Sequence, residues 1–80
     1  MYVRKYVIQT LVDVKKLVEI TMSFKEKIYI TQNEYNVDGK SIMGILSLDL
    51  TKPVIIKIIT EDQDVANDFF ARVTWICEVG

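Results

Sequence analysis

Between Tyr2 and Gln9 apolar and polar positions alternate, and most are β-branched or aromatic, which is the period-two pattern of a strand with Tyr6 and Ile8 turned to a core. The period then changes. Leu11, Val14, Leu17, Val18, Thr21 and Met22 recur every three or four residues, with Asp13, Lys15, Lys16 and Glu19 between them, and so predict an amphipathic helix. Thr10 stands where a hydroxyl would accept from the unpaired amides of its first turn. Phe24 is expected to close this helix by packing beneath it. The good β formers of Lys27–Thr31 read as a second strand, Asn33-Glu34 as a turn, and Tyr35–Val37 as a short third strand. Asp38-Gly39 suits a turn with positive φ. Ser41 directly ahead of Ile42-Met43-Gly44-Ile45-Leu46 is an N-cap signal for a short helix ending near Leu46.

Leu48–Pro53 reads as a connecting loop, because Pro53 lacks an amide hydrogen and belongs ahead of the next strand. Val54–Ile59 carries apolar residues on both parities, as a strand inside a sheet does. Thr60-Glu61-Asp62-Gln63 has capping-box spacing, and Ala66, Phe69, Phe70, Val73, Ile76 and Cys77 follow at helical intervals. A last helix is therefore expected to bury Cys77 as a packed free thiol and to leave Trp75 off its buried stripe. The order β-α-β-β-(short α)-β-α lacks the repeated βαβ units of a doubly wound sheet. It predicts the α+β class: a two-layer open-faced sandwich, with a four-stranded antiparallel sheet and two longer helices and one short helix on one face. No repeat or linker divides the chain, so residues 1–80 are expected to form a single domain.

A chain of 80 residues supports one core and not two. Ten basic and eleven acidic side chains give a net charge of -1, which argues against the basic footprint of a nucleic-acid or anionic-membrane binder. No apolar stretch is long enough for a membrane span, and the N-terminus reads as a strand, not a signal peptide. With one cysteine and no histidine, the chain can form no internal disulfide and no four-ligand Cys/His zinc site. The same absence removes Ser-His-Asp and Cys-His catalysis and phosphohistidine chemistry. Asp13, and the run Glu61-Asp62-Gln63-Asp64, read as acids favoured in first turns by the helix dipole. No catalytic site, metal site or cofactor is expected, and a reducing cytoplasmic setting fits the cysteine usage.

Gly39-Lys40-Ser41-Ile42-Met43-Gly44-Ile45-Leu46-Ser47-Leu48 resembles the segment around the regulatory serine of HPr, the histidine-containing phosphocarrier of the bacterial sugar phosphotransferase system. Lys-Ser-Ile-Met-Gly is its specific part. Extended without gaps, the likeness puts Phe24 at the end of the family's first long helix, Val54–Ile58 on its fourth strand and the start of its last helix near Asp62. The family's carrier site is a Gly-x-His-Ala-Arg-Pro-like run between first strand and first helix. Here that region reads Ile8-Gln9-Thr10-Leu11-Val12-Asp13-Val14 and is several residues shorter, with Thr10 roughly at the histidine position and Val12 roughly at the arginine position.

The resemblance implies an HPr-like protein that does not carry phosphate on histidine and acts through protein partners: an HPr kinase-like enzyme, or a transcriptional or metabolic regulator. Ser41 has two compatible readings, a helix cap and a serine phosphorylated for regulation. Met43 is expected to face outward. Ile42 and Leu46 either join it or pack on the sheet and first helix, and Val12 and Ile20 either lie exposed or are buried by a rotated helix. Val12, Ile42, Met43 and Leu46 are thus the candidate partner-binding residues. Two further readings stand: phosphoryl relay through a non-histidine acceptor, Thr10 or Asp13, and a structural or assembly subunit. The expected state is a monomer or weak dimer.

Overall fold

In the computed structural model, which describes residues 1–79, the most β-branched run of the chain occupies the centre of the sheet. The elements in chain order are β1 (Tyr2–Val7), α1 (Leu11–Met22), β2 (Ile28–Gln32), β3 (Tyr35–Asp38), α2 (Ile42–Leu46), β4 (Val54–Ile58), α3 (Gln63–Arg72) and β5 (Cys77–Val79). The strands lie in the order β3-β2-β4-β1-β5, with every neighbouring pair antiparallel. Strand β4 is paired on both sides, with Ile56 opposite Arg4 of β1 and Ile30 of β2. One parity of the sheet (Tyr6, Ile28, Ile30, Val54, Ile56, Ile58) is buried against Val14, Leu17 and Val18 of α1, Ile45 of α2, and Ala66, Phe69 and Phe70 of α3. This single core holds the helices on one face, as the sequence pattern predicts.

The sheet has five strands where four are expected. Helix α3 stops at Arg72, not at Cys77, because its exit is capped locally. The Thr74 hydroxyl donates to the Ala71 carbonyl at 3.3 Å and the Trp75 indole nitrogen to the Arg72 carbonyl at 2.7 Å. Val73, Thr74 and Ile76 are β-branched and lose rotamer freedom in a helix. The chain turns, and Cys77-Glu78-Val79 adds to the free edge of β1 with Cys77 opposite Val7. Cys77 is therefore an exposed free thiol, not a buried one.

Smaller corrections have equally local causes. Leu11 and Met22 are exposed although they fall on the helical stripe, because they occupy the first and last positions of α1, beyond the reach of the core. Positive φ is found not at Gly39 but at Asn33 (53°), in the β2–β3 turn, where an asparagine tolerates it. Gly39 is needed for close approach: its amide donates to the Ile28 carbonyl at 2.7 Å, and a Cβ there would lie 2.8 Å from Ile28 Cγ2. The cap of α3 is Asp62, whose carboxylate accepts from the Asp64 and Val65 amides, while Thr60 Oγ1 accepts from the Asp62 amide. Phe24 is half-buried and meets the Phe69 ring edge-on, with 5.4 Å between centroids.

One polar side chain is buried as a staple. The Gln32 amide nitrogen donates to the Asp49 carbonyl at 2.6 Å, and its oxygen accepts from the Asp49 amide at 2.8 Å. Both ends of the group are thus satisfied, and the loop ahead of β4 is fixed to the end of β2.

Candidate functional site

Helix α2 is short, and both its ends are tied down. Ser41 has extended backbone angles, and its Oγ accepts from the Gly44 amide at 3.1 Å, the N-cap that the sequence predicts. At the other end Ser47 Oγ donates to the Gly44 carbonyl at 2.6 Å. The approach to Ser41 is equally constrained: the Lys40 amide donates to Asp38 Oδ1 at 2.9 Å, the Lys40 ammonium to the Phe24 carbonyl at 2.7 Å, and Thr21 Oγ1 to the Gly39 carbonyl at 2.7 Å. The start of α2 is thereby anchored to the last turn of α1 and to the segment that follows it.

At about 100° per residue, five residues cannot all face inward. Ile45 is fully buried, and Gly44 lies against β3, where a Cβ would come within 3.3 Å of Val37 Cβ. The opposite side carries Met43 at 80% exposure, Leu46 at 43% and Ile42 at 36%. The outward reading therefore holds for all three. Ser41 itself is only partly accessible, with its hydroxyl engaged in the cap.

The other expected component lies at the start of α1. Thr10 Oγ1 accepts from the Asp13 amide at 3.1 Å, so its hydroxyl serves as the helix cap. Val12 is 59% exposed, beside exposed Leu11, whereas Ile20 packs partly against the core. The Lys16 ammonium stands 5.8 Å from the centre of the Trp75 ring, which brings the segment after α3 alongside the middle of α1. At the start of α1, Leu11 is the surface residue that periodicity misassigned, as Met22 is at the other end. Its position in the first turn, beyond the core-facing run, is the signal that could have found it.

Val12 and Ser41 sit on different elements, the first turn of α1 and the cap of α2. Thr21, which holds the residues ahead of α2, lies nine residues beyond Val12, about 13 Å along the helix axis. The candidate residues are carried by two elements of the helical layer, the first turn of α1 and α2. Among the described residues no group of three or more acidic, cysteine or histidine side chains is placed to hold a metal ion, and no helix is long and apolar enough to cross a membrane.

An antiparallel open-faced sandwich with a serine-capped short helix between its third and fourth strands is the architecture that the resemblance of the Ser41 segment implies. Residues 13–76 match the family model described as PTS HPr component phosphorylation site, and the chain belongs to the HPr family. Two curated relatives, the phosphocarrier proteins HPr of Neisseria meningitidis serogroups A and B, are each 35% identical to it over 52 residues, or 65% of this chain. The match spans 58% of the length of those relatives. Among solved structures, HPr-C-His of Thermoanaerobacter tengcongensis superposes with a TM-score of 0.72 at 22% identity, covering 89% of this chain and 88% of that one. The catabolite repression protein Crh of Bacillus subtilis, described as a swapped dimer, gives 0.64 at 22% identity over 88% of this chain and 84% of its own. These two likenesses establish the fold. The family match begins at Asp13, so Thr10 and Val12 lie outside it.

Proposed function

We propose that this chain is an HPr-family protein that does not carry phosphate and acts by binding other proteins through Met43, Ile42, Leu46 and Val12, with Ser41 as a regulatory phosphorylation site. One observation carries the reading: the chain has no histidine, yet the Lys40–Leu46 segment is tied by side-chain and backbone bonds into a capped helix with its apolar side in water. Relay from phosphoenolpyruvate needs a reversible nucleophile, which in the resembled family is the histidine that this chain lacks, and an apolar surface needs only a partner. Methionine suits such a surface because its flexible thioether adapts to the opposing shape.

A phosphate on Ser41 adds about -1.5 to -2 charge at a helix start, where the first-turn amides and dipole favour it, so the fold persists while the surface field changes for a partner. The fitting partners are an HPr kinase-like enzyme and a transcriptional or metabolic regulator, in a cytoplasmic setting where ATP is at hand. The relay alternative draws no support from Thr10, whose hydroxyl caps α1, or from Asp13, a single acid in a first turn.

Intact-mass analysis with peptide mapping, after incubation with ATP and an HPr kinase, tests the switch. One phosphate on Ser41, absent in Ser41→Ala, is the expected result. An unmodified chain, or a phosphate elsewhere, removes Ser41 from the proposal and leaves the apolar patches to be tested by Met43→Glu in partner capture.

A further inference from the structure

The face of the sheet away from the helices is neither evenly polar nor neutral. Strand register places Val79, Lys5, Ile55, Thr31 and Asn36 in one row across it, and Val3, Lys57, Tyr29 and Asp38 in the next. Cys77 and Val7 form a third, shorter row. A solvated antiparallel face normally alternates to polar residues, yet here Val3, Val7, Tyr29 and Ile55 share it. Lys5 and Lys57 are diagonal neighbours on adjacent strands, and among the described residues neither is in a salt bridge. The two ion pairs among the described residues, Arg4–Glu78 and Arg72–Asp68, involve other side chains.

Carboxylates are sparse on this side. Asp38 is the one acid among the strand residues of the face, and its Oδ1 already accepts from the Lys40 amide. Glu61, Asp62, Asp64 and Asp68 all belong to α3 or its approach, in the helical layer. A molecule of net charge -1 thus carries a basic sheet face and an acidic third helix. At one end of the face a groove of about 340 Å³ opens between Lys5 and Lys52, lined also by Thr31, Asn33 and Ile55. The Gln32 staple fixes its wall through the carbonyls of Asp49 and Pro53. Asp49, the acid closest to Lys52 in the chain, accepts from the Thr51 amide and hydroxyl, and it also lies near enough to feel the Lys52 charge, so it offsets that lysine in part.

We propose that this open sheet face is a second docking surface, independent of the one on α1 and α2, and that it takes an acidic, apolar segment of a partner protein. Its apolar side chains cover Val3, Ile55 and Tyr29, and its carboxylates meet Lys5 and Lys57, with one entering the groove beside Lys52. A second copy docked face to face would bring two faces of like charge together. Nucleic acid fits less well, because Tyr29 is the one aromatic ring in these rows and stacking platforms use several.

The probes are a short synthetic peptide of alternating glutamate and leucine and its lysine–leucine counterpart, titrated into isotope-labelled protein with amide shifts recorded. The acidic peptide is expected to shift Lys5, Tyr29, Ile55 and Lys57, to weaken as salt rises, and to lose roughly tenfold or more in affinity in Lys5→Glu/Lys57→Glu. Should that variant misfold by circular dichroism, Lys5→Gln/Lys57→Gln carries the same comparison with a smaller loss. Shifts confined to Val12 and Met43, equal binding of the basic peptide, or no binding overturns the proposal. Tighter binding of a single-stranded oligonucleotide, or concentration-dependent shifts without peptide, overturns it in favour of nucleic acid or a second copy.

Discussion

The Thr21 hydroxyl is fully buried and lies 2.7 Å from the Gly39 carbonyl and 3.0 Å from that of Val18, so one small group links α1 to the approach of α2. The sequence places Thr21 correctly on the buried stripe, but only as a helical position. Its partner is eighteen residues away, and no period in the sequence encodes that pairing. Thr21→Val keeps the shape and removes the donor, leaving the Gly39 carbonyl buried without it. The expected cost is about 1–3 kcal/mol in urea unfolding, with the loss felt first at α2. Ser41 is the contrasting case. Its cap joins residues three apart in the chain, and that closeness makes the role of Ser41 legible in the sequence alone.

At the scale of elements, β1, β2, β3, α1, α2 and β4 follow from periodicity and turn residues, while the end of the chain does not. Val73, Ile76 and Cys77 fit a helical repeat, and the same residues serve a turn and an edge strand once β1 offers an unpaired edge. Strand β5 also changes the chemistry beneath it. It brings Glu78 opposite Tyr6, and burial first, with the Glu78 charge second, pushes the Tyr6 phenol above its ordinary value of 10.0. A raised native pKa means that the unfolded chain gives up this proton first. The Tyr6 contribution is therefore fully present below about pH 10 and is lost as pH rises through the raised native value. Urea unfolding across this alkaline range should show stability falling in the parent and falling less steeply in Tyr6→Phe. An equal slope in the two proteins would assign the loss to other groups.

Over the whole molecule, the decisive fact is an absence spread through 80 residues: no histidine stands at any position, so no alignment of the region before α1 restores a phosphohistidine. Incubation with labelled phosphoenolpyruvate and the general phosphotransferase enzyme is expected to leave the chain unlabelled. Label on Thr10 or Asp13 would instead support the relay reading. The two patches on the helical layer and the basic sheet face point away from each other, a division that net charge averages to -1 and conceals.

The amino-acid sequence by itself determined the α+β class, the single core, the cap at Ser41 and the absence of histidine chemistry, because each rests on composition or on residues close along the chain. Tertiary structure alone decided the fifth strand, the exposure of Cys77, Leu11 and Val12, and the anchoring of the approach to α2 on α1. Those depend on which strand edge stays unpaired, on where the core ends, and on bonds such as Thr21 to Gly39 that form only after the chain has folded back on itself.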